Sequence, residues 1–182
     1  MDELGTTLLQ LARAAIATQF GQAASDITDL PALHQPGATF VTLTQLGRLR
    51  GCIGSLEAWR PLINDVQENA CSAAFRDPRF KPLLARELPS TRVEVSLLTP
   101  AEPIIFSSEA DALAQLRPTI DGVILSAGPH RATFLPQVWE QLPSPQQFIA
   151  ELKQKAGLAA NYWRPDLKLE RYTVKKWKEP TP

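Results

Sequence analysis

The sequence predicts an α+β fold: a single domain over residues 1–182, with helices packed on a largely antiparallel sheet. Three observations lead there. The order hairpin, helix, strand reads over residues 39–98 and again over 120–177. The hairpins break the strict strand–helix alternation that a doubly wound parallel sheet needs. A chain of 182 residues, 44% hydrophobic and 21% charged, is long enough for one substantial core. The two halves align loosely, Arg48–Leu56 against His130–Val138, so the expectation is two related structural halves rather than a sequence repeat.

Each element has its own signal. Leu4, Leu8, Leu11, Ala15, Ile16 and Phe20 recur at helical spacing, predicting an amphipathic helix from Glu3 to Phe20, stopped near Gly21. Residues 22–37 carry Pro31 and Pro36 without a period and read as a loop. Phe40–Thr44 and the run after Gln45-Leu46-Gly47 form a hairpin. Pro61 suits a first helical position. Leu62, Ile63, Val66, Ala70, Ala73 and Ala74 make that helix's apolar stripe. It ends near Arg76, because Pro78 disfavours a helical Asp77. Thr91–Leu98 alternates as a strand.

In the second half, Ser108 and Asp111 resemble a capping box for a helix reaching Leu116. Ile120–Ser126 and His130–Leu135 flank a turn at Ala127-Gly128-Pro129. Pro136–Gln141 is a short helical turn, and Ser144-Pro145 opens a helix closed by Gly157. Leu167–Trp177 reads as one last strand, with a frayed tail from Glu179.

Composition excludes several classes. Lys+Arg and Asp+Glu are 19 each, so no global field draws the chain to nucleic acid or acidic membranes. Lys175-Lys176-Trp177-Lys178 is the one concentrated basic run, where lysines often protect a sheet edge. No apolar stretch is long enough to span a bilayer, and the acidic start Met1-Asp2-Glu3 is unlike a secretory signal. The expected location is the cytoplasm. Two cysteines give no disulfide framework. The two histidines stand far apart and no CxxC, HExxH or phosphate-loop spacing occurs, so neither a metal nor a cofactor is called for.

The candidate chemistry centres on Leu49-Arg50-Gly51-Cys52-Ile53-Gly54. Strand alternation would put Arg48, Arg50 and Cys52 on one face. Gly51 and Gly54 would leave room for another backbone or a ligand. As an enzyme, Cys52 would be a nucleophile or covalent carrier, because nearby guanidiniums favour the reactive thiolate. Glu94 or Asp77 would act as general base, with Lys155 as a further candidate. The competing reading makes Cys52 a small buried residue and Arg50 an ion-pair partner of Glu94 or Asp77. As a binding module, Arg48, Arg50, Arg76, Arg79 and Lys81 would converge on a phosphate, a carboxylate or an RNA backbone. As an interaction protein, Trp59, Trp139, Trp163 and Trp177 would supply interface anchors. Asp77-Pro78-Arg79-Phe80 either lines the site or braces its own loop.

Leu49–Gly54, Phe75-Arg76-Asp77-Pro78-Arg79-Phe80, Val93-Glu94-Val95-Ser96, Ala132–Trp139 and Lys155-Ala156-Gly157-Leu158 occur in this order along nearly the whole chain. In them the sequence resembles the AMMECR domain family, whose microbial members are called AmmeMemoRadiSam system protein A. The resemblance implies an α+β fold with two related halves. It implies a pathway shared with Memo-like and radical-SAM proteins, in which the chain modifies a small molecule or macromolecule or assists that modification. It supplies no reaction, and two separated cysteines lack the ligands of an iron–sulfur cluster.

Overall fold

A computed structural model describes residues 2–23 and 26–180. Residues 24 and 25 of the expected loop, and 181 and 182 of the expected tail, lie outside them. The elements are helices α1 (Glu3–Thr18), α2 (Leu62–Phe75), α3 (Glu109–Gln115) and α4 (Pro145–Lys155). The strands are β1 (Thr39–Gln45), β2 (Arg48–Gly54), β3 (Thr91–Leu98), β4 (Glu102–Pro103), β5 (Gly122–Ala127), β6 (His130–Phe134), β7 (Lys168–Tyr172) and β8 (Val174–Lys178). Single-turn 3-10 helices sit at Pro31–His34, Ala85–Ser90 and Pro136–Glu140.

The α+β class and the antiparallel hairpins are as the sequence predicts, but the strands make two sheets rather than one. Their orders are β2-β1-β3-β8 and β4-β7-β5-β6. The chain forms two compact units: one runs up to Leu98 and takes in the chain again from Lys175, and the other is Thr99–Val174. The halves share a plan. In each sheet the hairpin's second strand is an edge, its first strand is next, and the strand after the helix follows. The stretch expected to be one last strand is divided at Thr173. There the Thr173 N–H donates to Thr99 Oγ1 and its carbonyl accepts the Thr99 N–H, both at 2.9 Å. β7 therefore joins the second sheet and β8 the first.

In the first unit, α1 and α2 cover one face of the sheet. Leu8, Ala12 and Ile16 of α1 meet Val66, Ala70 and Ala73 of α2 over Val41, Leu43, Val93 and Val95. Removing each large apolar side chain from water contributes about 1.5–3 kcal/mol. Asp2 caps α1 by accepting the Gly5 N–H at 2.9 Å. The capping pattern predicted for α3 is shared between two serines: Ser108 Oγ accepts the Asp111 N–H, whereas the Asp111 carboxylate accepts from the Ser107 N–H. Pro61 precedes α2 as its cap instead of opening it.

A buried polar knot joins the starts of α2 and β1 to the end of β2. The fully buried Asp65 carboxylate accepts the Thr39 N–H, the Thr39 and Ser55 hydroxyls, Arg60 Nε and Asn69 Nδ2. A charge removed from water is tolerated only with such partners. Glu179 is anchored rather than frayed. Its carboxylate pairs with Arg13 and accepts the Val93 N–H, and its own N–H donates to the Val93 carbonyl.

The second unit has its own core of Val123, Leu125, Trp139, Phe148, Ile149, Leu152 and Leu169. Trp139 stacks on Phe148, ring centres 3.7 Å apart. Of the four tryptophans, Trp139 and Trp177 are buried and Trp59 is 69% exposed, with the Arg60 guanidinium 4.7 Å above its ring. No helix among the described residues is long and apolar enough to cross a membrane.

Gly51 is where α2 comes closest to β2: a Cβ there would overlap the carbonyl oxygen of Ala73. Backbone cannot give way as a side chain tip does. Gly51→Ala is therefore expected to destabilise the fold by about 1–3 kcal/mol, the usual cost of overpacking. Urea unfolding followed by circular dichroism measures it; an unchanged midpoint would mean that α2 does not approach so closely.

Candidate functional site

The site starts from an irregular strand. Leu46 and Gly47 both take positive φ, 49° and 76°, in the two-residue hairpin loop. From that loop Gln45 pairs with Arg48 and Thr44 with Leu49, but Leu43 then pairs with Gly51. Arg50 is the extra residue of a β-bulge. The alternation that would put Arg48, Arg50 and Cys52 on one face is interrupted there. The bulge also moves Cys52 opposite Thr42. Cys52 is half-buried, and its Sγ lies 3.2 Å from Thr42 Oγ1.

β2 is a sheet edge, so the outward N–H and C=O of Cys52 have no strand to pair with. The loop after α2 supplies the partners. The Cys52 N–H donates to Asp77 Oδ2 at 2.9 Å, and the Cys52 carbonyl accepts Arg79 Nη2 at 3.2 Å. The two side chains also bind each other, through Arg79 Nε to Oδ1 at 2.9 Å and Nη2 to Oδ2 at 2.7 Å. The Arg79 N–H adds a third bond to Oδ1 at 3.1 Å. Asp77 is 4% exposed, whereas the Arg79 side chain is 55% exposed. Hydrogen bonds from the Arg79 guanidinium hold the Asp77 carboxyl well below the usual carboxylate range. Burial opposes this, and the Cys52 and Arg79 N–H groups reinforce it. The hydrogen bonds to Asp77 in turn raise the Arg79 guanidinium, against a smaller opposing effect of burial. Arg79 Nη1 has no hydrogen-bond partner among the described residues.

The other candidates are placed as follows. Arg50 pairs with Glu87, Nε to Oε1 at 3.1 Å and Nη2 to Oε2 at 3.2 Å, instead of with Glu94 or Asp77. Glu87 also takes the Leu84 N–H, and its carboxyl is held low, first by Arg50. Arg50 Nη1 is buried without a hydrogen-bond partner among the described residues. Glu94 lies opposite Thr42 on β3, so Cys52, Thr42 and Glu94 form one row across three strands. Cys52 and Glu94 are two strand spacings apart, roughly 10 Å, and Glu94 is engaged by Lys178 at 2.9 Å. Arg48 is exposed at the hairpin. Gly51 makes room for the α2 backbone, and Gly54 for the ring of Phe40.

Lys155 belongs to the second unit. Its Nζ donates to the Thr133 carbonyl at 2.9 Å and lies 5.1 Å from the Phe134 ring centre. His130 is in the same unit, with Nδ1–H on the Ala156 carbonyl at 2.9 Å. Cys71 is half-buried between α1 and α2, donating to the Ala15 carbonyl at 3.4 Å; burial pushes its thiol up. No group of three or more His, Cys, Asp or Glu among the described residues is arranged to hold a metal ion.

Sequence reasoning missed Thr42 and Glu87. Counting back from the turn puts Thr42 opposite Gly51, and only the bulge brings Cys52 there. Glu87 carries no local signal, since it reaches Arg50 from a 3-10 turn that the periodicity does not mark.

A family model described as AMMECR1 matches residues 9–177. A protein of Methanothermobacter thermautotrophicus is 37% identical over 186 aligned residues, covering 96% of this chain and 94% of that one. A protein of Methanocaldococcus jannaschii is 34% identical, covering 99% and 92%. The crystal structure of an uncharacterised protein from Pyrococcus horikoshii aligns with a TM-score of 0.84 at 33% identity, covering 100% of this chain and 94% of that one.

The Asp77 clamp has a pH signature. Its carboxyl titrates below its unfolded value, so its contribution is complete above about pH 5 and is lost progressively as pH falls below the unfolded value toward the native one. Asp77→Asn is expected to cost about 1–3 kcal/mol near neutral pH. The gap from wild type should stay constant from about pH 5 upward and close below about pH 4. Denaturant titrations at several pH values decide it; a gap that persists unchanged at the acid end would contradict the assignment.

Proposed function

The chain belongs to the AMMECR1 family, and on that premise we propose that it serves a modification pathway shared with Memo-like and radical-SAM proteins, with Cys52 as its reactive group. The observation that carries this reading is the clamp: a half-buried thiol on a strand edge, held through its own N–H and C=O by Asp77 and Arg79. A rigid backbone fixes where the sulfur stands. The half-exposed guanidinium on the Cys52 carbonyl suits the anionic group of a small substrate, which its Nη1 would meet while Nε and Nη2 stay on the clamp.

In the covalent step the Cys52 thiolate bonds to an electrophilic carbon of that substrate. The bond from this carbon to its leaving group breaks, and the leaving group takes the electron pair. The thiol's proton has gone to solvent beforehand. Asp77 is a positioning residue here: a carboxylate that accepts four hydrogen bonds and is held low is a poor proton acceptor. Arg50 and Glu87 hold the bulge that sets the register of Cys52.

One observation favours a second reading, an anion-binding or partner-binding module without covalent chemistry. The carboxylates nearest the strand are already engaged: Asp77 by Arg79, Glu87 by Arg50 and Glu94 by Lys178. Arg79 is then the ligand-binding group and Cys52 a neighbour.

Alkylation by iodoacetamide near neutral pH separates the two. A reactive Cys52 is modified at least about tenfold faster than Cys71, whose raised thiol stays protonated. Equal rates, or an unmodified Cys52, would remove it as a nucleophile. Thermal shifts with a panel of small anionic metabolites complete the test. Under the second reading Cys52→Ser keeps a ligand-induced shift that Arg79→Ala loses.

A further inference from the structure

The second unit holds a cavity of about 620 Å³ beside α3 and α4. This is within the range of roughly 300–1,000 Å³ usual for small-molecule sites. Ala110, Leu113, Pro145 and Ala160 give it apolar walls, and Glu109 and Lys153 supply its charges. Lys153 is 1% exposed. Lysine is rarely buried so deeply unless paired. Its Nζ donates to Glu109 Oε1 at 2.9 Å and stands 5.4 Å from the Trp163 ring centre. An ammonium has three donors, and Glu109 is its hydrogen-bond partner among the described residues. The Glu109 side chain is 46% exposed at the start of α3, so its second oxygen remains open to a ligand.

A buried ion pair is a weak stabilising device, often replaceable by apolar side chains. Here the pair also lines a cavity whose other walls are largely apolar. We propose that this cavity binds a zwitterionic α-amino acid with an apolar side chain. The ligand's carboxylate fills the open donors of Lys153, its ammonium meets the open oxygen of Glu109, and its side chain lies against Leu113 and Pro145. Charge matching selects this class. A simple carboxylate would leave the site with a net negative charge beside Glu109, and a simple amine a net positive charge beside Lys153. A zwitterion keeps it neutral, which matters most at the buried Lys153, 1% exposed.

The test is isothermal titration of the full chain with L-leucine and L-phenylalanine. The comparison ligands are 4-methylpentanoate and 3-methylbutylamine, which keep one charged group each. The amino acids should bind, and each one-charge analogue should bind at least about tenfold more weakly than leucine. Glu109→Gln keeps an amide oxygen for the buried Lys153 ammonium, so it should retain the wild-type circular dichroism spectrum at some cost in stability, and it should lose the advantage of leucine over 4-methylpentanoate. Lys153→Met should lose leucine binding while keeping the wild-type circular dichroism spectrum. Absence of heat and of any thermal shift with both amino acids up to about 10 mM would overturn the proposal. So would wild-type leucine affinity in Glu109→Gln, and that result stands even if Lys153→Met fails to fold.

Discussion

An edge strand has to end its hydrogen bonding somewhere, and in the first unit it ends on one ion pair. Asp77 accepts the outward N–H of Cys52, and Arg79 donates to its outward carbonyl. Together the two side chains do for β2 what a fifth strand would do. An exposed edge otherwise invites pairing with another chain. The arrangement depends on a carboxylate that is buried and yet charged, and the Arg79 guanidinium keeps it so. Everything chemical about the site follows from this clamp. It fixes the Cys52 backbone, sets a guanidinium on the Cys52 carbonyl and engages the Asp77 carboxylate fully.

The second unit meets the same topological problem with different residues. Its hairpin also leaves its second strand, β6, at the edge of the sheet. The end of the following helix again reaches that strand: Lys155 donates to the Thr133 carbonyl, and His130 of β6 binds the Ala156 carbonyl. Lys155 thus has a position in its half comparable to that of Arg79 in the first, closing an edge. The order shared by three strands of each sheet, and a side chain closing each hairpin's edge, make the case for two related halves, where residue identity is too low to make it. The halves have diverged in what the closure surrounds, a thiol in one and an aromatic ring, Phe134, in the other.

Much of the fold was legible because local signals agreed with tertiary ones. Val93 and Val95 alternate in sequence and both face the core. Pro78 ends α2 where its steric effect requires, and that stop delivers Asp77 to the strand edge. The site was legible only in part. The motif around Cys52 marked the strand, but the bulge at Arg50 depends on how β1 pairs, which no single-strand pattern encodes. One inserted residue separated Arg50 from Cys52 and gave it to Glu87. The Asp77–Arg79 loop braces more than itself: its two charged side chains hold the backbone of Cys52. The break between β7 and β8 was hidden because Leu167–Trp177 carries no glycine or proline to announce it.

The direct measurement is hydrogen exchange at the Cys52 amide, followed residue by residue in the native state. If Asp77 is the partner of that N–H, the amide is strongly protected in the wild type. In Asp77→Ala its exchange should accelerate at least about tenfold beyond any change at the Val93 and Val95 amides of the core. A Cys52 amide that exchanges freely in the wild type, or remains protected without the carboxylate, would contradict the clamp and the function built on it.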